Sequence, residues 1–87
     1  MRRWTPHALR NLAEREIARA EAEKTIDAPD VVRDGHGGRL LFLRRYGDPV
    51  LCQEMLLCVV GEQRSADLVI VTVYKTSKIE KYLRGGE

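Results

Sequence analysis

From His7 to Ile26 apolar residues recur at three- and four-residue steps, through Leu9, Leu12, Ala13, Ile17 and Ala20 and on to Ala22 and Ile26. That spacing predicts helix, because such positions line one face of a 3.6-residue turn. Arg10, Glu14, Arg15, Glu16, Arg19, Glu21, Glu23 and Lys24 lie between them as a solvated face of mixed sign. Thr5-Pro6 opens the segment: Thr caps a helix well, and Pro is tolerated at the first helical position. Ala28-Pro29 closes it, since the residue before Pro is pushed out of the helical region. With no Gly or Pro near Ile17, the run is compatible with one helix or with two.

Beyond Pro29 the period changes to two. Val31 to Arg33 and Arg39 to Tyr46 read as strands around the turn Asp34-Gly35-His36-Gly37-Gly38. After Gly47-Asp48-Pro49 a long third strand is expected over Val50 to Val60, then a loop over Gly61 to Asp67. Leu68 to Tyr74 is the fourth strand, rich in β-branched residues. Short connections favour an antiparallel meander. Lys75 to Arg84 suits a closing helical turn with Ile79, Tyr82 and Leu83 inward, and Gly85-Gly86-Glu87 frays. The expected fold is α+β, a helix or helix pair on a four-stranded antiparallel sheet. One domain spans 1–87, helical over 5–28, sheet over 31–74, with a short helix or tail over 75–87.

Length and composition narrow the classes. A chain of 87 residues, 44% of them hydrophobic, supports one core and is not a disordered chain. A net charge of +2 argues neither for nor against nucleic acid. The apolar runs Met55 to Val60 and Leu68 to Val73 are too short to cross a bilayer, so no membrane association is expected. The basic start leads into a charged segment with no apolar stretch, unlike a secretory signal. Cys52 and Cys58, on one extended strand, would stand ~20 Å apart, beyond disulfide reach. Two reduced thiols in a cytoplasmic protein are expected, with no metal site and no cofactor.

His7 is the most informative position. It falls in the first helical turn, where unpaired N–H groups carry partial positive charge. That field disfavours the imidazolium and leaves a neutral ring, the form a general base requires. Arg10 follows one turn on, so the two make a phosphate-facing pair; the bland alternative is a surface His beside an Arg10–Glu14 helix pair. Strand alternation places Val69, Val71 and Val73 under the helix, which brings Thr72 and Tyr74 to the other face next to Lys75. Arg39 heads the second strand. Glu54 is expected to be an exposed charge or to pair with a neighbouring Arg. Lys78, Lys81 and Arg84 form a basic ridge able to touch a phosphate backbone or simply to solubilise the C-terminus. The glycines around His36 are explained by a hairpin turn rather than a phosphate loop, and Trp4 by packing at the helix start.

His7-Ala8-Leu9-Arg10, Arg15-Glu16-Ile17, Ile26-Asp27-Ala28-Pro29-Asp30-Val31-Val32, Gly38-Arg39 and Val71-Thr72-Val73-Tyr74 occur in an order and spacing that resembles an uncharacterised family of small bacterial and archaeal domains. That family is a domain of unknown function grouped with the RelE/ParE-like, barnase–EndoU–colicin ribonuclease folds. The resemblance covers about residues 7 to 83. It implies a metal-independent ribonuclease or RNA-binding toxin-type domain, with RNA and an antitoxin protein as partners; a homodimer is compatible with it. The implied site gathers His7, Arg10, Arg39, Thr72 and Tyr74, with Tyr74 or Lys75 assisting the leaving oxygen and Lys78, Lys81 and Arg84 touching nucleic acid. Family members often carry Gly where this chain has Glu16, at an implied helix break. The alternative from another class is a non-catalytic module that captures a peptide strand, at an edge expected around Val50 to Leu57.

Overall fold

A computed structural model describes residues 1–84 of the chain. Its elements are β1 (Arg2–Trp4), α1 (Pro6–Glu14), α2 (Arg19–Asp27), β2 (Val31–Asp34), β3 (Arg39–Asp48), β4 (Gln53–Arg64), β5 (Asp67–Thr76) and α3 (Ile79–Leu83), with a 3-10 turn at His36–Gly38 before β3. The strands make one five-stranded sheet in the order β1-β5-β4-β3-β2. β2 to β5 form the antiparallel meander expected from the sequence. The expected sheet of four antiparallel strands is corrected by β1, which adds a fifth and pairs in parallel with β5, Arg2 to Leu68 and Trp4 to Ile70. Three residues are too few to display a period, so this strand is fixed by a distant partner and not by its own pattern.

The helical segment is two helices. Thr5 caps α1, its Oγ1 accepting the Ala8 N–H at 3.1 Å. The break falls at Glu16, which takes φ +54, a left-handed conformation that side chains disfavour and glycine accepts. α1 and α2 pack on the front face of the sheet: Ala8, Leu12, Ile17, Ala22 and Ile26 meet Phe42, Tyr46, Met55, Leu57, Val59, Ile70 and Val73. α3 packs on the back face, where Ile79, Tyr82 and Leu83 cover Leu43, Leu56, Cys58 and Tyr74. The expected fraying of Gly85-Gly86-Glu87 lies outside the described residues.

Three strand expectations are corrected. The third strand starts at Gln53, and Val50 to Cys52 belong to the turn before it, so Cys52 and Cys58 do not share a strand; both are free thiols. The loop over Gly61 to Asp67 shrinks to Ser65-Ala66, with Arg64 paired to Asp67. Of the edge expected around Val50 to Leu57, Val50 to Cys52 are turn, Gln53 to Met55 pair with β3 alone, and Leu56 and Leu57 are held on both sides, by β3 and by β5.

A bulge also changes which side chains share a face. Val60 pairs with Thr72 and Gly61 with Ile70, so Val71 has no partner across β4. The extra residue shifts the alternation by one. Leu68 and Ile70 therefore join Val73 on the front face, and the expected Val69–Val71–Val73 stripe does not form. Val69 comes instead to the back face with Thr72 and Tyr74. Gly61 sits at this bulge because a Cβ there would stand 2.9 Å from Leu68 Cδ1.

Candidate functional site

The register builds an arginine row on the back face. Cross-strand partners share a face, and successive pairs Arg39–Glu62, Glu62–Val69 and Val69–Arg3 run across β3, β4, β5 and β1. Arg64 lies two residues past Glu62 on the same face, beside the β4–β5 turn. α3 covers only the other half: Cys58 stands four residues from Glu62 along β4, ~13 Å at the usual rise. The Arg3 and Arg64 side chains remain 69% and 67% exposed, and Arg39 is exposed. Asp67 approaches Arg3 at 3.9 Å, and Glu62 accepts a hydrogen bond from Arg64 at 3.0 Å. Such exposed pairs contribute ~0–1 kcal/mol and yield readily to a better anion.

α1 borders this half along the β5 edge beyond Ile70. Thr5 Oγ1 donates to the Ile70 carbonyl at 2.9 Å. One strip of α1 then satisfies the edge: Asn11 Oδ1 accepts the Val73 N–H at 3.1 Å and the Thr72 hydroxyl at 2.6 Å, while Arg15 Nη1 donates to the Val73 carbonyl at 2.8 Å. His7 lies one turn before Asn11 on that strip. His7 and Arg10 are exposed, and neither has a hydrogen-bond or ion-pair partner among the described residues. His7 follows Pro6, which lines a cavity of about 220 Å³ together with Arg3, Trp4, Thr5, Arg64 and Val69. Asn11 thus links the α1 strip that carries His7 to Thr72, with Arg3 and Arg64 at its start.

The remaining sequence-predicted residues lie elsewhere. Arg39 is in the arginine row, two strands from β5. Tyr74 is half-buried under α3, where burial and the neighbouring Cys58 push its phenol up to about 12; burial pushes the Cys58 thiol up to about 11. A phenol so raised stays protonated at neutral pH and can donate a hydrogen bond. Lys75 points to the front face instead, its ammonium 2.5 Å from Asp48 and only 12% exposed. Lys78, Lys81 and Arg84 are exposed on and around α3. Glu54 approaches Arg45 at 3.9 Å, as expected for a cross-strand charge.

Sequence reasoning missed the partner of Lys75. Asp48 is closed off from solvent, and its carboxylate accepts from Tyr46 OH at 2.8 Å, Val50 N–H at 2.9 Å and Leu51 N–H at 3.1 Å as well as from Lys75. The Lys75 ammonium, more than any other neighbour, holds this carboxyl far below the usual carboxylate range. Burial and the Asp48 charge push the Tyr46 phenol well above its ordinary value. The signal was available, since Tyr46 and Asp48 alternate onto one side of a strand, but Gly47-Asp48-Pro49 reads first as a turn. Arg3 and Arg64 were missed because their meeting depends on β1.

Among the described residues no three His, Cys, Asp or Glu side chains gather to hold a metal ion, and no helix is long and apolar enough to cross a membrane. Residues 4–75 match the model of a family described as a domain of unknown function (DUF4258), and the chain belongs to that family. Comparisons with curated proteins and with solved structures give no match.

Proposed function

We propose that this DUF4258 domain acts on RNA as a RelE-like, metal-independent ribonuclease of the toxin type, with the arginine-bearing half of its back face receiving the strand. The observation that carries the reading is that Arg3, Arg39 and Arg64 stand exposed on three separate strands of one face, with Arg3 and Arg64 beside the start of α1, where His7 and Arg10 lack partners among the described residues. A phosphate backbone is held by cations spaced along its path. The resemblance of the His7 and Thr72 segments to the RelE-like group supplies the chemistry.

In this reading the His7 ring takes the proton of a ribose 2′-hydroxyl as that oxygen attacks phosphorus. The bond from phosphorus to the 5′ oxygen breaks, a 2′,3′-cyclic phosphate forms, and the departing oxygen takes a proton from solvent. Lys75 takes no part, being bound to Asp48 on the front face, and Tyr74 lies under α3 beside Cys58. Arg10 stabilises the charge that builds on the phosphorane oxygens, worth on the order of 3 kcal/mol, while Arg39, two strands from β5, holds the RNA backbone farther along the row. Lys78, Lys81 and Arg84 extend the cationic path across α3. A natural inhibitor of such a site is an acidic protein that covers the arginine row.

Incubation of single-stranded RNA with the protein in chelator tests the reading. Fragments ending in 2′,3′-cyclic phosphate are expected, with the rate down about a hundredfold in a folded His7→Ala protein. Cleavage at the parental rate by that variant removes the mechanism. One observation favours a second reading, a non-catalytic protein-interaction module: β2 is an edge strand, and its Val32 is 48% exposed. Uncut RNA, together with strand capture that Val32→Pro abolishes, selects that reading.

A further inference from the structure

We propose that the cavity between Arg3 and Arg64 is a separate phosphate subsite, seating a phosphodiester of the RNA strand other than the one that meets His7 and Arg10. The inference rests on the RNA reading above and adds a size requirement to it: a mononucleotide cannot fill both positions, so the substrate is an oligonucleotide.

Arg3 reaches the cavity from β1 and Arg64 from β4, on either side of the β5 strand whose Val69 forms part of the lining. Two guanidinium groups arriving from opposite sides suit a tetrahedral anion, since each fork offers paired N–H donors to two oxygens. The volume of about 220 Å³ corresponds to on the order of seven water molecules, room for a phosphate and part of its sugar. Asp67 and Glu62, themselves partly buried, hold the two exposed guanidinium groups near this position, where donors not turned to the acids are open to an incoming phosphate. Base stacking is not the mode of recognition. The Trp4 indole N–H donates to Glu23 at 2.9 Å, and Arg19 already lies over the ring at 4.9 Å. The Thr5 hydroxyl is likewise committed to the Ile70 carbonyl.

The test is fluorescence anisotropy of a labelled single-stranded RNA octamer made uncleavable by 2′-O-methyl groups, titrated at several salt concentrations with wild type, Arg64→Gln, the Arg3→Gln/Arg64→Gln pair, and Lys24→Gln as a charge control on exposed α2. Arg64→Gln is expected to raise Kd about fivefold and the pair about thirtyfold, and the slope of log K against log salt should fall by about one for each arginine removed. Lys24→Gln should stay within about twofold of wild type. Tight wild-type binding with Arg64→Gln indistinguishable from Lys24→Gln overturns the subsite and leaves the RNA reading standing. Absence of wild-type binding overturns both. A 5′-hydroxyl and a 5′-phosphorylated octamer of equal affinity support an internal phosphodiester; a preference for the 5′-phosphate that Arg64→Gln abolishes overturns that assignment in favour of a strand end.

Discussion

The two ends of the sheet handle charge in opposite ways. At the end near the β3–β4 turn, one carboxylate and one ammonium are withdrawn from water on the front face, and Asp48 has four donors around it. At the end near the β4–β5 turn, three guanidinium groups stand exposed on the back face with partners at 3.0 and 3.9 Å, or with none among the described residues. A buried charge is tolerated only when its partners satisfy it, so the first end has no capacity left for a ligand. The second has donors to spare. A perturbed titration at Asp48 therefore marks architecture, while the groups with chemistry to offer lie where charge is loosely held.

The difference breaks most visibly under substitution. Lys75→Met strands the Asp48 carboxylate in a closed site, and the melting temperature should fall by on the order of 15 °C. Arg3→Gln and Arg64→Gln should each shift it by less than about 3 °C. Melts followed by circular dichroism that gave equal losses at the two ends would abolish the distinction.

Asn11→Ala comes next. It leaves the buried Val73 N–H without its acceptor and frees Thr72, at a cost of about 2 kcal/mol, or on the order of 10 °C. Because it uncouples α1 from β5, RNA binding should weaken while the Asp48 site stays intact. An unchanged melt would mean that α1 is held by its apolar face alone.

The pH dependence separates the ends again. The Asp48 carboxyl is lowered in the folded protein, so its contribution is fully present above about pH 4 and is lost as acid titrates it. Cys58 and Tyr74 are raised. Their contribution is complete below the ordinary values of 9.0 and 10.0 and is lost as the pH climbs through about 11 and about 12. Urea midpoints should accordingly decline above pH 9, with Cys58→Ala delaying the onset. A midpoint flat to pH 12 would contradict the burial of these groups under α3.

The smallest expected effect is a gain. Glu16 holds φ +54 between α1 and α2, so Glu16→Gly should stabilise the protein by ~1 kcal/mol, about 5 °C. A loss on this substitution would show that the Glu16 side chain contributes more than its backbone conformation costs.

What could be read from the chain follows from the range of each signal. Thr5-Pro6 and Ala28-Pro29 act on their own backbones, and both helix limits were legible. The strands β2 to β5 repeat a period over several residues, and Arg39 was legible as the head of the second strand. The bulge at Val71 leaves no mark in composition, yet it turns Val69 to the same face as Thr72 and Tyr74. β1 is three residues long and is defined by Leu68 to Ile70, so the cavity it shapes with Arg64 stayed out of view. Lys75 was visible as a cation at the end of an apolar strand, but its partner lies 27 residues away at the end of β3.

Backbone amide shifts of the 15N-labelled protein, followed during titration with a single-stranded RNA that resists cleavage through 2′-O-methyl groups, test the central claim most directly. Saturable shifts at Arg3, His7, Arg39, Arg64, Val69 and Thr72, with Tyr46, Asp48 and Lys75 unmoved, are the expected result. Shifts confined to the Asp48 end, or none at a concentration of RNA well above that of the protein, would contradict it.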